Sequence, residues 1–375
     1  MKIGIDATAL PPKPVGAGNY IIELIRALHA LEYPHELVIF AQEHGQRLID
    51  VPARAGFEWV SLPNLQPARR LIWEQTGFPN LLREQSIDLL HSLHYTRPLR
   101  LPCRSVVTFH DMTFFLFPQL HTRPKRIFFP WMIRYSARTA NALIADSEST
   151  RQDAIRILGI APERICTVPL GVSPKFHPVQ DPTLRQAVRV RYQLPENFLL
   201  FVGLVEPRKN LPLLLKAYQQ VIQLGHSVPL VIVGRKGWMY QQVMALIADL
   251  GLSDHIHLTG YVPPEDLPIV YNLADLFIYP SLYEGFGLPP LEALACGAPV
   301  ITTAVSSMPE HVGQAGLLVP PGDENALTQA IVRLLTDQEL KSRLSRLGPR
   351  QAAQFTWTRT ARQTLQVYEN VLSCR

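Results

Sequence analysis

The sequence predicts an α/β protein of two doubly wound domains, each organised on a parallel sheet. Two observations carry that expectation. Short runs rich in β-branched residues alternate with amphipathic stretches along the chain, the pattern of repeated βαβ units. At 375 residues, 47% of them apolar and 18% charged, the chain can also bury two cores of ordinary size.

Taken in order, residues 2–5 read as the first strand, and Ile21, Ile22, Leu24, Ile25 and Leu28 give the following segment one apolar helical face. Further strands are expected at 37–40, 105–109, 143–145 and 165–168. The passage from Pro174 to Pro182, rich in proline and charge, then precedes a helix near 184–191 and reads as a hinge. A second alternating set occupies 198–202, 230–233, 255–258, 276–279, 300–302 and 317–319, and an amphipathic helix at 358–372 closes the chain. The expected division is 1–175, 176–355 and a closing segment 356–375. No repeat of solenoid length is evident.

Composition excludes several classes. No uncharged apolar window of membrane-spanning length occurs, and residues 1–6 enter a strand without a signal-peptide stretch, so the expected location is cytoplasmic. Cys103, Cys166, Cys296 and Cys374 are far apart in sequence, form no C-x-x-C pair and have no histidine at metal spacing; they read as buried small apolar residues. The formal charge of +5 suits an acidic partner without naming one. Residues 121–138 hold five Lys or Arg and no acid, interleaved with Phe128, Phe129, Trp131, Met132 and Tyr135. Such a segment fits an anionic membrane surface, and it equally fits a core helix with a solvated basic face. No helix-turn-helix, zinc-finger or RNP pattern accompanies the charge, which disfavours a nucleic-acid partner.

Doubly wound sheets present ligands at the turns after their strands. The first such turn holds Gly16-Ala17-Gly18; it lacks the third glycine and the acidic residue of a dinucleotide fingerprint, so an NAD enzyme is disfavoured. The second supplies His110-Asp111, readable as a ligand-facing histidine or as a structural one satisfied by Asp111. The third runs from Gly203 through Glu206-Pro207-Arg208-Lys209-Asn210 into an apolar helix. Cations at that helix start oppose its dipole, which points to an anionic ligand. The fourth is Glu284-Gly285-Phe286-Gly287-Leu288-Pro289-Pro290-Leu291-Glu292. Its glycines let the backbone approach a ligand, and the N–H groups of Phe286, Gly287 and Leu288 at a helix start suit a phosphate. Pro289 or Pro290 fits the first helical turn, and Glu292 is expected within that turn. Without context, Glu284 reads equally as a solvated turn carboxylate and Glu292 as a charge stabilised by the dipole.

Together these segments resemble the GT-B retaining glycosyltransferases of family 4, whose E-x7-E signature matches residues 284–292, and the likeness spans nearly the whole chain. It implies two Rossmann-like domains with parallel sheets facing across a cleft, and a closing helix that crosses back to the first domain. The implied reaction moves a hexose from a nucleotide diphosphate sugar, with retention at the anomeric carbon and no protein nucleophile. Gly16 and Gly18 would lie over the donor phosphates, and His110 would touch the transferred sugar. Arg208 and Lys209 would hold the diphosphate after the strand-end Gly203. Glu284 would bind sugar hydroxyls, Glu292 the ribose, and the turn at Tyr261 and Val262 the base edge. Ser147 reads as a helix cap, and 306–311 replaces a Gly-Gly-Xaa-Pro-Glu stretch while keeping Pro309 and Glu310. Many relatives carry Gly-Arg where this chain has Gly203-Leu204, so Arg208 would take that part.

No D-x-D cluster is conspicuous, and the expectation is metal independence with no cofactor. The Glu-Pro-Arg-Lys-Asn form resembles enzymes of bacterial surface-polysaccharide assembly, many of them mannosyltransferases. GDP-mannose is therefore the expected donor, a UDP- or dTDP-sugar the next, and a glycan or lipid-linked oligosaccharide the acceptor. A non-catalytic binding module and a sugar-nucleotide epimerase are the alternatives. A glycosidase would need two carboxylates facing across the bond and leaves Lys209 without a task.

Overall fold

The computed structural model of the protein describes residues 1–235, 237 and 239–373. The chain falls into two compact units, one of Met1–Gly171 with the chain from Thr356 onward, the other of Val172–Phe355.

In the first unit the strands are β1 (Lys2–Asp6), β2 (Glu36–Gln42), β3 (Phe57–Leu62), β4 (Leu89–Ser92), β5 (Arg104–Phe109), β6 (Ala142–Ala145) and β7 (Ile165–Thr167). They form one parallel sheet in the order β3-β2-β1-β4-β5-β6-β7. Five of these match expected runs; β3 and β4 were not expected. β3 lies at the sheet edge, where Glu58 and Ser61 face solvent and break the apolar run. β4 is only Leu-Leu-His-Ser, and it buries its polar half. His91 tolerates that burial because its two ring nitrogens meet the Tyr368 hydroxyl at 2.6 Å and the Thr108 hydroxyl at 2.8 Å. Burial, reinforced by the neighbouring His110, pushes its pKa down to about 3, so the ring is neutral. Tyr368 belongs to the closing helix Trp357–Ser373, whose buried positions Trp357, Ala361, Thr364, Tyr368 and Val371 repeat at helical spacing. That helix is thereby packed and hydrogen-bonded into the first unit.

The basic aromatic segment forms the helix Arg123–Thr139. It buries Met132, Ile133, Ser136 and Ala137 and leaves Ile127 (77%) and Trp131 (54%) exposed. Among the cysteines, Cys296 is buried as expected, whereas Cys103 and Cys166 are only half-buried. Cys374 lies outside the described residues. No helix among the described residues is long and apolar enough to cross a membrane.

The second unit is built on β8 (Leu199–Val202), β9 (Leu230–Val233), β10 (Ile256–Gly260), β11 (Leu276–Tyr279), β12 (Val300–Thr303) and β13 (Gly316–Val319), all parallel, in the order β10-β9-β8-β11-β12-β13. Every expected run of this half lies on one of them. Strand order reverses between β8 and β11, and such a reversal opens a crevice at the carboxyl ends of the two strands. The turns leaving β8 and β11 are the segments at 203–210 and 280–288.

Candidate active site

The turn after β8 tightens into the 3-10 segment Pro207–Lys209 and ends at Asn210, whose left-handed backbone (φ 53°) starts the helix Leu211–Gln223. Asparagine tolerates that conformation better than most residues. The turn after β11 is stitched to it: the N–H of Leu282 donates to the Arg208 carbonyl at 2.8 Å, and the Ser281 hydroxyl lies 2.9 Å from the same oxygen. This brings Arg208, Lys209 and Glu284 together.

Glu284 is buried (5% exposed) at the centre of the cluster. Its Oε1 accepts from Lys209 Nζ at 2.6 Å, from the Tyr279 hydroxyl at 3.0 Å and from the Ser281 hydroxyl at 2.7 Å. Its Oε2 accepts from Arg208, which also donates to Glu206 at 3.0 Å. Burial alone would push the carboxyl up, but Arg208, Lys209 and the hydrogen bonds from Lys209 and Ser281 outweigh it and hold the pKa at about 2. The pair is asymmetric. Burial and the adjacent Arg208 lower the Lys209 pKa despite Glu284, because the ammonium gave up more hydration than its partners restore. Lys209 also donates to Tyr279 and sits 5.0 Å from that ring's centroid. With two of its three N–H bonds used, one remains without a protein acceptor among the described residues.

The glutamate is presented by a turn held from behind. Its N–H donates to the Ser306 hydroxyl at 2.9 Å, and the Ser307 hydroxyl lies 3.1 Å from the Glu284 carbonyl and 2.6 Å from that of Phe286. Gly287 starts the helix Leu288–Ala295 with φ 90°, a left-handed conformation that favours glycine, and it packs against the end of the Met308 side chain. Pro289 occupies the first turn as expected. Glu292 does not: it is the fifth helical residue, one turn further on, where it accepts from the Tyr271 hydroxyl at 3.2 Å. The expectation placed it too early because proline tolerance extends back to the helix start, and the helix begins at Leu288 rather than at the prolines.

Other expected positions lie nearby in the same unit. Gly203 follows β8, and the crowding there is borne by its neighbour: a Cβ on Gly234 would sit 1.9 Å from the Gly203 carbonyl oxygen. Leu204 is 41% exposed. After β10, Val262 is buried, while Tyr261 is half-exposed beneath the Arg235 guanidinium, 4.3 Å from its ring centroid.

In the first unit Gly16 caps the helix Ala17–Ala30 with φ 50° and open space where a Cβ would stand, whereas Gly18 is buried against Pro14 and Pro11. Two residues on, Tyr20 packs edge-on against His110 at 4.9 Å. His110 is partnered by Asp146, not Asp111, at 2.7 Å from Nδ1, and its Nε2 meets the Leu93 carbonyl at 2.8 Å. Asp111 instead accepts from Thr113. Both partners of the ring are acceptors, an arrangement that suits an imidazolium. Burial opposes that charge, but the Asp146 carboxylate and the hydrogen bonds outweigh it and raise the His110 pKa. A ligand hydrogen bond to this ring has to displace the Leu93 carbonyl. Ser147 caps the helix Glu148–Leu158 through the Thr150 N–H at 3.0 Å. Among the described residues, no three His, Cys, Asp or Glu side chains group as a metal-ligand set.

Comparison with known proteins identifies the framework. The family described as Glycosyltransferase Family 4 matches residues 14–176, and Glycosyl transferases group 1 matches 186–351. The chain is 33% identical over 390 residues to O-antigen chain mannosyltransferase B of Escherichia coli, covering 98% of this chain and 100% of that one. The protein is a family 4 glycosyltransferase. A second relative, the serotype-specific mannosyltransferase WbdA of E. coli, is 32% identical over 237 residues, 62% of this chain but 29% of that longer protein. Among solved structures, Anabaena HepE in complex with UDP-glucose superposes with a TM-score of 0.78 at 20% identity, over 99% of this chain and 100% of that one, and supports the fold.

Several residues that shape this cluster in the glycosyltransferase carry no individual signal in the sequence. In sequence Tyr279 and Ser281 read only as the end of a β-rich run, yet both bond Glu284. The serines at 306 and 307 were read as a change of small residues, yet their hydroxyls hold the turn. Their signal is one of shared position: each is a hydroxyl at or beyond a strand's carboxyl end, where ligand-facing turns begin.

Proposed function

We propose that the glycosyltransferase moves mannose from GDP-mannose to a glycan or lipid-linked oligosaccharide in cell-surface polysaccharide synthesis, retaining the anomeric configuration and requiring no metal. The observation that carries this reading is the cluster of Arg208, Lys209 and Glu284 at the strand-order reversal of the second unit. When the bond from the sugar's anomeric carbon to the donor phosphate oxygen breaks, its electron pair goes to the departing diphosphate. The remaining N–H of Lys209, the neighbouring Arg208 and the N–H groups of Phe286, Gly287 and Leu288 stabilise that charge. The acceptor hydroxyl attacks the face the diphosphate leaves, and its proton passes to the departing phosphate oxygen. Glu284, ionised at neutral pH, keeps acceptor capacity on Oε2 for sugar hydroxyls. Glu292 binds the ribose and Tyr261 and Val262 the base, with Gly203 leaving room beside the donor, while Gly16, Gly18 and His110 are the candidate ligand-facing residues of the first unit.

Mannose is supported by the two E. coli relatives, both named mannosyltransferases. UDP is second choice, in line with the ligand of Anabaena HepE. A thermal-shift series with GDP, UDP, dTDP and ADP is expected to give the largest shift with GDP. Incubation with GDP-mannose and a mannan oligosaccharide should release GDP and give an α-linked product by NMR. A largest shift with UDP removes the donor assignment, a β-linked product removes retention, and no release from any donor favours the non-catalytic module.

The helix Arg123–Thr139 supports a further part of this reading, that the enzyme works at the cytoplasmic face of an anionic membrane. Ile127 and Trp131 project from it, with Arg134 and Arg138 continuing the same exposed face. Each basic side chain near such a surface contributes about 1 kcal/mol. The protein is expected to sediment with phosphatidylglycerol vesicles but not with phosphatidylcholine vesicles, and Trp131→Ala with Arg134→Ala should weaken the binding. Indifference to lipid charge would rule this docking out.

A further inference from the structure

The diphosphate of the proposed donor meets a cluster that is already balanced in charge. Arg208 is paired with Glu206 and Glu284, and Lys209 with Glu284, so two cations face two carboxylates. A further cation stands at the neighbouring strand ends. Arg235 follows β9, and among the described residues its guanidinium contacts no carboxylate; it stacks on Tyr261, which follows β10. Tyr261 is 50% exposed, so the stacked pair opens to solvent. Stacking fixes the guanidinium plane and leaves its edge N–H donors to pair with two oxygens of a phosphate.

Backbone packing brings this arginine to the same turn as Lys209. A Cβ on Gly234 would lie 1.9 Å from the Gly203 carbonyl oxygen, and one on Gly237 would lie 2.0 Å from that of Val205. Arg235 sits between these two contacts, on the segment that rests against the 203–205 turn. On the other side of that turn, a Cβ at Gly203 would be 3.8 Å from Lys209 Cγ.

We infer that Arg235, backed by Tyr261, is a third cation of the donor site and pairs with the diphosphate of the bound nucleotide. The inference rests on the proposed function. Calorimetric titration of GDP, inorganic pyrophosphate and guanosine into wild-type protein, Arg235→Ala and Arg235→Lys tests it. The alanine variant should raise Kd for GDP and pyrophosphate about tenfold, ~1.4 kcal/mol, and leave guanosine unchanged. The lysine variant should recover only part of the pyrophosphate affinity, because an ammonium keeps the charge but not the stacked fork, and both should melt like wild type without nucleotide. If wild-type protein binds no nucleoside diphosphate, the proposed function falls and this inference with it. Wild-type binding that Arg235→Ala retains within about twofold overturns the inference alone. A loss confined to guanosine also overturns it, since it would make Arg235 a base contact.

Discussion

Replacing Lys209 with alanine is expected to lower kcat by about 10²–10³, the cost of losing one fixed donor aimed at developing charge, ~3 kcal/mol. The effect should fall on kcat more than on KM, because the diphosphate acquires its extra charge only as the glycosidic bond breaks. Folding should be affected less, since Glu284 keeps Arg208, Tyr279 and Ser281 as partners. Lys209→Arg is not expected to restore the rate: a forked guanidinium does not fit a pocket closed by the Tyr279 ring and the Glu284 carboxylate. Steady-state kinetics with the preferred donor provide the check, and a Lys209→Ala enzyme within about threefold of wild type would remove Lys209 from the phosphate site.

Glu284→Gln is expected to have the largest effect on stability. The carboxyl titrates at about 2 in the folded chain against an ordinary 4.5, a difference on the order of 3 kcal/mol. Because the folded value is the lower one, this contribution is fully present above about pH 4.5 and is lost as pH falls toward 2. The depressed Lys209 opposes it, since burial penalises its ammonium; that penalty is fully present below its folded pKa, through the whole acid window, and is relieved only as pH rises toward 10.5. Removing the carboxylate leaves Lys209 without an anion and Arg208 with Glu206 alone, at a cost of roughly 3–5 kcal/mol. Urea unfolding from pH 7 to pH 3 should show wild-type stability declining below about pH 4.5, and the variant both weaker at pH 7 and flatter through that window. Adding Lys209→Met to the variant should recover stability without recovering activity, because the buried charges then leave together. A variant as stable as wild type at pH 7 would show that the ion pair contributes little.

Much of the second unit was legible because its strands are short apolar runs separated by proline and glycine, and each of the six expected runs became one. The two overlooked strands of the first unit lacked that signal for different reasons: one is an edge with polar residues facing water, the other hides His91 behind partners 17 and 277 residues away. The spacing of Glu284 and Glu292 was readable, but the depth of Glu292 in the helix was not, since local preference places a helix start only to within a turn. That Asp146 rather than the adjacent Asp111 meets His110 was hidden for a clearer reason. Phe109 and Ala145 are register partners on adjacent parallel strands, which sets His110 beside Asp146 and turns Asp111 toward Thr113.

By itself the sequence determined the element types, the doubly wound class and the residue chemistry available at each strand end, because apolar periodicity, turn glycines and charge are local properties of the chain. Which of those groups meet was decided by the tertiary structure. Lys209 and Glu284 stand 75 residues apart in sequence, yet β8 and β11 are neighbours in the sheet, and their turns emerge side by side. Only that adjacency gives the carboxylate its cations, and the ionisation of a buried group depends on what surrounds it in space rather than on what precedes it in the chain.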